Sequence, residues 1–239
     1  MDWASWVLAG LAALSVGLGK GGIPGVGNLA VVLFAMVFDP KASVGLLLPV
    51  LIAADVVAVT VYRRHVEWHY LLRLLPWLGV GIVLGYFVFD WLSNTGFQRL
   101  IGSIVLLMTF MRMLKLGAVI PHHYLFRAGM GITGGFATMV ANAAGPVAQI
   151  YFLSIGLPKL AFIGTGAWCF FIVNLVKVPL QVDLGIIHFE SLKTSFLLAP
   201  LAILGALVAP RVVSWIPQKQ FERLVWVFII FVGLKLVIA

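Results

Sequence analysis

The stretch Gly17-Leu18-Gly19-Lys20-Gly21-Gly22-Ile23-Pro24-Gly25-Val26-Gly27-Asn28 decides the fold, because it interrupts two apolar segments that are each too short to cross a membrane comfortably. It contains six glycines and one proline. Glycine costs about 1 kcal/mol and proline about 3 kcal/mol in a helix interior. We therefore expect the backbone to leave the helix here and to expose N–H and C=O groups that need partners inside the membrane.

The rest of the chain has the composition of a membrane protein. Of its 239 residues, 62% are hydrophobic and 10% are charged, whereas soluble domains are roughly 45–50% apolar. A transmembrane helix needs about 20 mostly apolar residues, so the length allows on the order of eight to ten membrane segments and leaves no room for a soluble catalytic domain. The net charge of +8 comes from basic residues scattered singly between apolar segments, which indicates membrane topology and anionic lipid, not nucleic acid.

Charged residues, prolines and glycines divide the chain into apolar segments. We predict that all of them are α-helices, because open sheet edges cannot face lipid. The predicted fold class is therefore an all-α polytopic membrane protein. The predicted segments are 3–18, 28–38, 43–62, 70–90, 97–116, 124–141, 146–156, 160–180, 190–213 and 219–238.

The second half of the chain repeats the first. Asp39-Pro40-Lys41-Ala42 matches Leu157-Pro158-Lys159-Leu160, and Phe97-Gln98-Arg99-Leu100 matches Phe221-Glu222-Arg223-Leu224 in the same order. The Gly-rich breaks after the first and sixth segments fall in the same register. We therefore predict two transmembrane repeats of about five segments each.

The predicted repeats cover residues 1–118 and 119–239. Each holds five segments, or three spans and a short helical hairpin if its first two segments do not cross fully. Because either count is odd, the two repeats must be inverted relative to each other. The first two segments of each repeat are short and broken at a Gly/Pro-rich loop near the midplane. Inverted repeats with such interrupted segments are the best sequence indication of a secondary transporter's binding site.

Basic residues predict the orientation, since cytoplasmic loops carry an excess of Lys and Arg. The predicted cytoplasmic side collects Arg63, Arg64, Arg73, Arg112, Lys115, Arg127, Lys159, Arg211, Lys219 and Arg223. The other side collects Lys41, Arg99, Lys177, Lys193 and Lys235. Both termini are then expected on the non-cytoplasmic side of a cell inner membrane.

The first break is a predicted anion site. The helix that restarts near Asn28 presents unpaired N–H groups and the positive end of its dipole. Lys20 adds a full charge, and bare glycine backbone lets an oxyanion approach closely. The substrate-binding residues predicted here are Gly19, Lys20, Gly21, Gly22, Gly25, Gly27 and Asn28.

The second break, Ala141-Asn142-Ala143-Ala144-Gly145-Pro146, is predicted to do the same with different residues. Pro146 suits the first turn of a restarting helix, and Asn142 can donate its amide to an oxyanion or cap the helix. Asn142, Ala143, Ala144, Gly145 and Pro146 complete the predicted site. The alternative for both breaks is that small residues merely allow close helix packing.

Four further polar residues within apolar segments are candidates for coupling or for supporting the site. Asp55 can pair with a lysine, carry a proton or form a purely structural hydrogen bond. Asn174 occupies the counterpart of Asp55 in the second repeat, and Lys177 lies one turn further on the same face. Lys177 is a functional candidate or reaches to water from near Pro179. Thr165 lines a cavity wall or bonds to its own helix.

Metal, cofactor and nucleotide chemistry are not predicted. The single cysteine, Cys169, excludes an internal disulfide and a cysteine cluster. Lys20 is followed by Gly21 where a Walker A loop needs Ser or Thr. We find no nucleophile–base pair that indicates an enzyme. The histidines fall in loops or at segment ends without metal-site spacing, at His65, His69, His122, His123 and His188.

The motifs resemble the TauE/SafE sulfite exporter family over almost the entire chain. The resemblance is carried by Gly19-Lys20-Gly21-Gly22, Asn142-Ala143-Ala144-Gly145-Pro146, Thr165 and Asn174-x-x-Lys177-x-Pro179. It implies a bacterial or archaeal inner-membrane carrier that exports sulfite, organosulfonates or related sulfur-containing anions. One departure is that the first break carries Lys20 while the second has no basic residue, which predicts an electrostatically lopsided site.

We therefore expect a secondary transporter that works by alternating access and needs no cofactor. Its expected partners are the small anion and membrane lipid, with homodimerisation left open. The alternatives are a channel-like pore or a carrier for another small anion such as a carboxylate or halide, a membrane-embedded enzyme, and a scaffold. The driving force stays open among the anion gradient, the membrane potential and a proton carried by Asp55.

Overall fold

The structure is a computed structural model, and it describes residues 2–23, 26–89, 91, 93, 95–96, 99–100, 103, 106 and 124–215. The predicted segment 219–238, most of the segment 97–116, and Pro24 and Gly25 lie outside the described residues.

The described part of the chain is helical. Its helices begin and end within three residues of the corresponding predicted segments, which confirms those segments. The helices are α1 (Trp3–Lys20), α2 (Val26–Val37), α3 (Pro40–Tyr62), α4 (Trp68–Phe89), α5 (Tyr124–Ala141), α6 (Gly145–Ser154), α7 (Lys159–Asp183) and α8 (Phe189–Trp215).

Five stretches are long and apolar enough to cross a membrane: Trp3–Lys20, Pro40–Tyr62, Trp68–Phe89, Leu160–Asp183 and Phe189–Ala209. In contrast, α2 has 12 residues and α6 has 10. At about 1.5 Å per residue they reach roughly 18 and 15 Å, well short of the roughly 30 Å of a bilayer core. The α1–α2 and α5–α6 pairs are therefore helical hairpins whose second helix is too short to cross a bilayer core.

The first hairpin corrects the expectation that the backbone opens at Gly17, because α1 stays helical through Lys20. The reason is close packing against α8: a Cβ atom on Gly17 would lie 2.0 Å from the Ala202 carbonyl oxygen, and one on Gly205 would lie 2.5 Å from the Leu14 carbonyl oxygen. Tertiary packing therefore outweighs the low helix propensity of these glycines. The packing alternative is correct for Gly17, and the true break is shorter than predicted.

A second glycine-rich contact joins α4 and α5. A Cβ atom on Gly81 would lie 2.1 Å from the Ile132 carbonyl oxygen, and one on Gly135 would lie 2.1 Å from the Leu78 carbonyl oxygen. Such spacing lets two helix backbones approach closely in lipid. The α1/α8 and α4/α5 pairs are the two most extensive helix contacts in the described structure, and α3 and α7 pack against each other between them.

The outward surface of the described helices is apolar. Large hydrophobic side chains such as Leu72, Phe87 and Phe196 are exposed, which suits lipid as the surrounding solvent. Buried polar side chains, in contrast, are concentrated between α1, α3, α5 and α7. The described helices therefore combine an apolar outer surface with a largely apolar interior that contains a cluster of polar side chains.

Candidate functional site

The first hairpin turn begins with a glycine in the left-handed conformation. Gly22 has φ +118°, the Ile23 N–H donates to the Leu18 carbonyl at 3.1 Å, and the Gly22 N–H donates to the Gly19 carbonyl at 3.4 Å. This is the Schellman arrangement, which satisfies the last carbonyls of a helix. The chain therefore leaves α1 abruptly and turns into α2.

The second hairpin turn uses an asparagine for the same purpose. Asn142 has φ +51°, a conformation that asparagine tolerates better than most residues. Its backbone N–H donates to the Thr138 carbonyl at 3.0 Å, and its side-chain Nδ2 donates to the Val44 carbonyl of α3 at 2.9 Å. Asn142 therefore ends α5 and ties this turn to α3.

A cavity of about 80 Å³ lies between the two hairpin turns. One water needs about 10–15 Å³ on this measure, so the cavity has room for a small polyatomic ion. The first turns of both α2 and α6 contribute to its wall, and their N–H groups form the positive ends of two helix dipoles. The lining residues are Val16, Gly19, Lys20, Ile23, Gly27, Asn28, Leu51, Thr138, Asn142, Ala144, Gly145, Phe170 and Asn174.

Lys20 and Asp55 form an ion pair at this cavity. The Lys20 Nζ lies 2.6 Å from Asp55 Oδ1, with the lysine side chain 14% exposed and the aspartate fully buried. Asn174 Nδ2 donates to the other carboxylate oxygen at 2.7 Å. The Lys20 ammonium also lies 4.4 Å from the ring centroid of Phe170, where a cation–π attraction holds it. Of the alternatives for Asp55, the structure forms both the pair with a lysine and a hydrogen bond between helices.

Lys177 is fully buried directly behind the cavity wall. Its Nζ donates to Thr138 Oγ1 at 3.2 Å, to Asn174 Oδ1 at 3.3 Å and to Asn142 Oδ1. Three oxygens match the three N–H groups of an ammonium ion. The alternative that Lys177 reaches to water is therefore wrong, because three polar neighbours hold it inside the protein.

Lys177 also corrects the expectation that positive charge lies only at the first break. The second break has no basic residue in its own sequence, but α7 supplies one that contacts Asn142. Each break therefore has a lysine: Lys20 at the end of α1 and Lys177 beside the end of α5. Among the described residues, Asp55 is the carboxylate that contacts Lys20, whereas Lys177 contacts neutral oxygens. With both lysines protonated, the cluster carries one excess positive charge.

The structure brings most of the predicted site residues together. Gly19, Lys20, Gly27, Asn28, Asn142, Ala144, Gly145 and Asn174 line the cavity. A Cβ atom on Gly145 would lie 3.7 Å from Asn28 Oδ1, so the starts of α2 and α6 meet.

Other predicted residues lie away from the cavity wall. Gly21 packs against α8, where a Cβ atom would lie 2.4 Å from that of Ala209. Gly22 and Ala143 shape the turns without lining the cavity. The Thr165 Oγ1 accepts the Glu67 N–H at 2.9 Å, so it binds a loop instead of a cavity wall or its own helix.

Two predicted site residues are not fully described by the structure. Gly25 lies outside the described residues, and Pro146 falls in the first turn of α6 although its side chain is not described.

Sequence reasoning missed Thr138, Phe170 and Val44. Thr138 precedes Asn142 by four residues and Phe170 precedes Asn174 by four, so each lies on the same helix face as a residue that was found. This four-residue spacing from a predicted site residue is the sequence feature that indicates Thr138 and Phe170. The Val44 carbonyl carries no side-chain signal, since its role depends only on where α3 passes the second turn.

Five apolar helices of membrane-spanning length define a polytopic membrane protein, and a cavity lined by Lys20 lies between its two hairpin turns. The chain belongs to the sulfite exporter TauE/SafE family, whose family model matches residues 6–236. This family is one of membrane transporters, and the resemblance that the motifs predict is confirmed. No curated protein and no solved structure matches the chain.

Proposed function

We propose that the protein is a secondary transporter that exports a small sulfur-containing anion, such as sulfite or an organosulfonate, across the inner membrane by alternating access. The observation that carries the proposal is the cavity where Lys20 meets the first turns of α2 and α6. Membership of the TauE/SafE family supports sulfur chemistry in the substrate. The site is the residues that line this cavity, together with Asp55 and Lys177 behind them.

Electrostatics favours an anion over a cation. Residues at the starts of α2 and α6 line one cavity, and each helix N-terminus acts as roughly half a positive charge. Lys20 is the charged side chain among the described lining residues. A cation in this cavity meets positive potential from three sources, whereas an anion gains hydrogen-bond donors from each of them.

A two-fold relation between the halves supports the inverted repeat. Asp55 and Asn174, which are 119 residues apart, contact each other at 2.7 Å. Equivalent residues of two repeats touch in this way when they lie beside the axis that relates them. With an odd number of segments in each repeat, that axis lies in the plane of the membrane.

Reciprocal contacts further from the centre also support this relation. A Cβ atom on Gly45 would lie 2.2 Å from the Ile186 carbonyl oxygen, and one on Gly164 would lie 2.9 Å from the His65 carbonyl oxygen. Gly164 follows Gly45 by 119 residues, and Ile186 follows His65 by 121. Thus α3 packs against the loop between α7 and α8, and its equivalent in the second repeat, α7, packs against the loop between α3 and α4. Rocking of one repeat against the other would then expose the cavity to either side in turn.

The distribution of Lys and Arg supports an orientation with both termini outside the cytoplasm. In this orientation Arg63 and Arg64, between α3 and α4, face the cytoplasm. The membrane potential then favours anion exit by roughly 2.3 kcal/mol per charge per 100 mV.

A cysteine introduced at Arg64 is expected to react with an impermeant reagent only in inside-out vesicles. Reaction in intact cells would indicate the opposite orientation.

Transport is tested with the purified protein in liposomes. We expect labelled sulfite to accumulate by counterflow when unlabelled sulfite is trapped inside, because a carrier exchanges substrate through one site. Uptake without counterflow would indicate a channel. If chloride or acetate inhibits sulfite uptake and taurine, sulfoacetate and thiosulfate do not, the substrate belongs to another class of anion.

A further inference from the structure

The charges around the cavity limit the net charge that it can hold. Lys20 and Asp55 cancel each other across 2.6 Å. The described contacts of Lys177 are with the neutral oxygens of Thr138, Asn142 and Asn174, so its charge is not cancelled by a carboxylate among the described residues. A buried charge without a counter-ion is costly. The three oxygens around Lys177 suit an ammonium ion. With Lys177 in that form, the cluster favours a bound species with one net negative charge.

We propose that the cavity accepts one net negative charge, and that Asp55 adjusts the site to the valence of the anion. A monovalent anion binds while Asp55 remains ionised. A divalent anion binds together with one proton, which Asp55 takes up from water. This inference rests on the proposed function, because it concerns the same site and the same class of substrate.

Lys20 is the group that the anion and Asp55 share. Its ammonium has three N–H donors, and one side of it faces Asp55 while the exposed part of the side chain faces the cavity. A monovalent anion uses the donors that remain. A divalent anion brings a second negative charge beside the carboxylate, and two neighbouring anions in a buried site favour protonation of one. The proton forms an O–H bond on the carboxylate, and no other covalent bond changes.

Asp55 is the group best placed to take this proton. The other charged or titratable groups that face it are Lys20 on α1, and Lys177 and the thiol of Cys169 on α7. The neighbouring α2 contains no titratable residue. The charged residues of α8 lie near its ends, at Glu190, Lys193 and Arg211. Among these groups, Asp55 is the buried carboxylate at the cavity.

The test compares two anions whose own charge stays constant near neutral pH, monovalent methanesulfonate and divalent thiosulfate. Binding to the protein in lipid nanodiscs is measured as a function of pH. For thiosulfate the affinity should be greatest at low pH, and the Kd should rise about tenfold for each pH unit, because one proton binds with the anion. For methanesulfonate the Kd should not change.

Two variants separate Asp55 from other carboxylates. Asp55→Asn should abolish the pH dependence of thiosulfate binding. Asp183→Asn should retain it, since Asp183 lies at the end of α7 and accepts a hydrogen bond from Tyr86 away from the cavity. Proton uptake by the unmodified protein in weak buffer is a second measurement that needs no variant: one proton per thiosulfate and none per methanesulfonate.

The outcomes distinguish this inference from the proposed function. A constant Kd for thiosulfate, an equal slope for both anions, or a slope that persists in Asp55→Asn would overturn the valence rule while leaving an anion transporter. Failure of sulfite, thiosulfate and methanesulfonate to bind at any pH would overturn the proposed function as well.

Discussion

Replacing Lys20 with glutamine is expected to reduce anion transport to the rate of empty liposomes. Lys20 is the charged side chain at the described cavity wall, and it holds Asp55 at 2.6 Å. The substitution removes the positive charge that the anion meets, and it leaves a fully buried carboxylate without its cation. Transport of labelled sulfite in liposomes measures the first effect, and thermal unfolding measures the second.

The loss of stability must be separated from the loss of the site. Removing one partner of a buried ion pair costs about 3–5 kcal/mol, because the other charge stays buried and unpaired. The double variant Lys20→Gln/Asp55→Asn removes both charges, so we expect it to recover most of that stability and still not to transport. Transport by the double variant would show that Lys20 serves only to neutralise Asp55.

A surface pair supplies the matched control. Lys193 and Glu190 also form a 2.7 Å ion pair, but both side chains are more than half exposed. Exposed pairs contribute about 0–1 kcal/mol, so Lys193→Gln should change neither stability nor transport appreciably. A comparable transport loss in Lys193→Gln would indicate a non-specific effect of net charge.

The hairpin turns could be predicted from sequence because their signals are local. Glycine and proline interrupt helices wherever they cluster, so the neighbourhoods of Gly22 and Asn142 were identifiable without tertiary information. The exact start of the first break was not, because Gly17 to Lys20 form helix only when α8 lies against them. A residue that is unfavourable in an isolated helix is favourable where two backbones touch.

The charge network could be predicted only in part, because its partners are distant in sequence. Asp55 and Asn174 are 119 residues apart, and Lys177 reaches Asn142 across 35. The repeat pairs the first two, since they occupy equivalent positions. The repeat gives no corresponding signal for Lys177, whose equivalent position in the first half is Ala58. The second lysine of the site is therefore a departure from two-fold symmetry. The sequence marks Lys177 as a candidate, but only the structure shows that it contacts Asn142.

Replacing Lys177 is expected to give the second large effect, by a different physical route from Lys20. Lys177 does not line the cavity, yet it holds two side chains that do, Asn142 and Asn174. Lys177→Met leaves their oxygens and that of Thr138 buried without a donor. Each hydrogen bond to a charged group is worth about 1.5–3 kcal/mol, so we expect a loss of several kcal/mol in the free energy of unfolding, measured by thermal or denaturant unfolding.

Lys177→Gln separates charge from hydrogen bonding. Glutamine retains an N–H donor for this cluster and removes the positive charge, so its stability should lie between those of the native protein and Lys177→Met. Anion affinity should still fall about tenfold or more, because a unit charge near a buried site is worth at least about 1.4 kcal/mol at an effective dielectric near 20. Binding of methanesulfonate in nanodiscs measures this fall.

The control for Lys177 is a buried hydrogen bond elsewhere on the same scaffold. Ser195 on α8 is fully buried and donates to the Leu46 carbonyl at 2.7 Å. Ser195→Ala should cost about 1 kcal/mol of stability and leave anion affinity unchanged. If Lys177→Gln binds methanesulfonate as tightly as the native protein, Lys177 contributes no charge to the site, and its role is confined to holding the turn at Asn142.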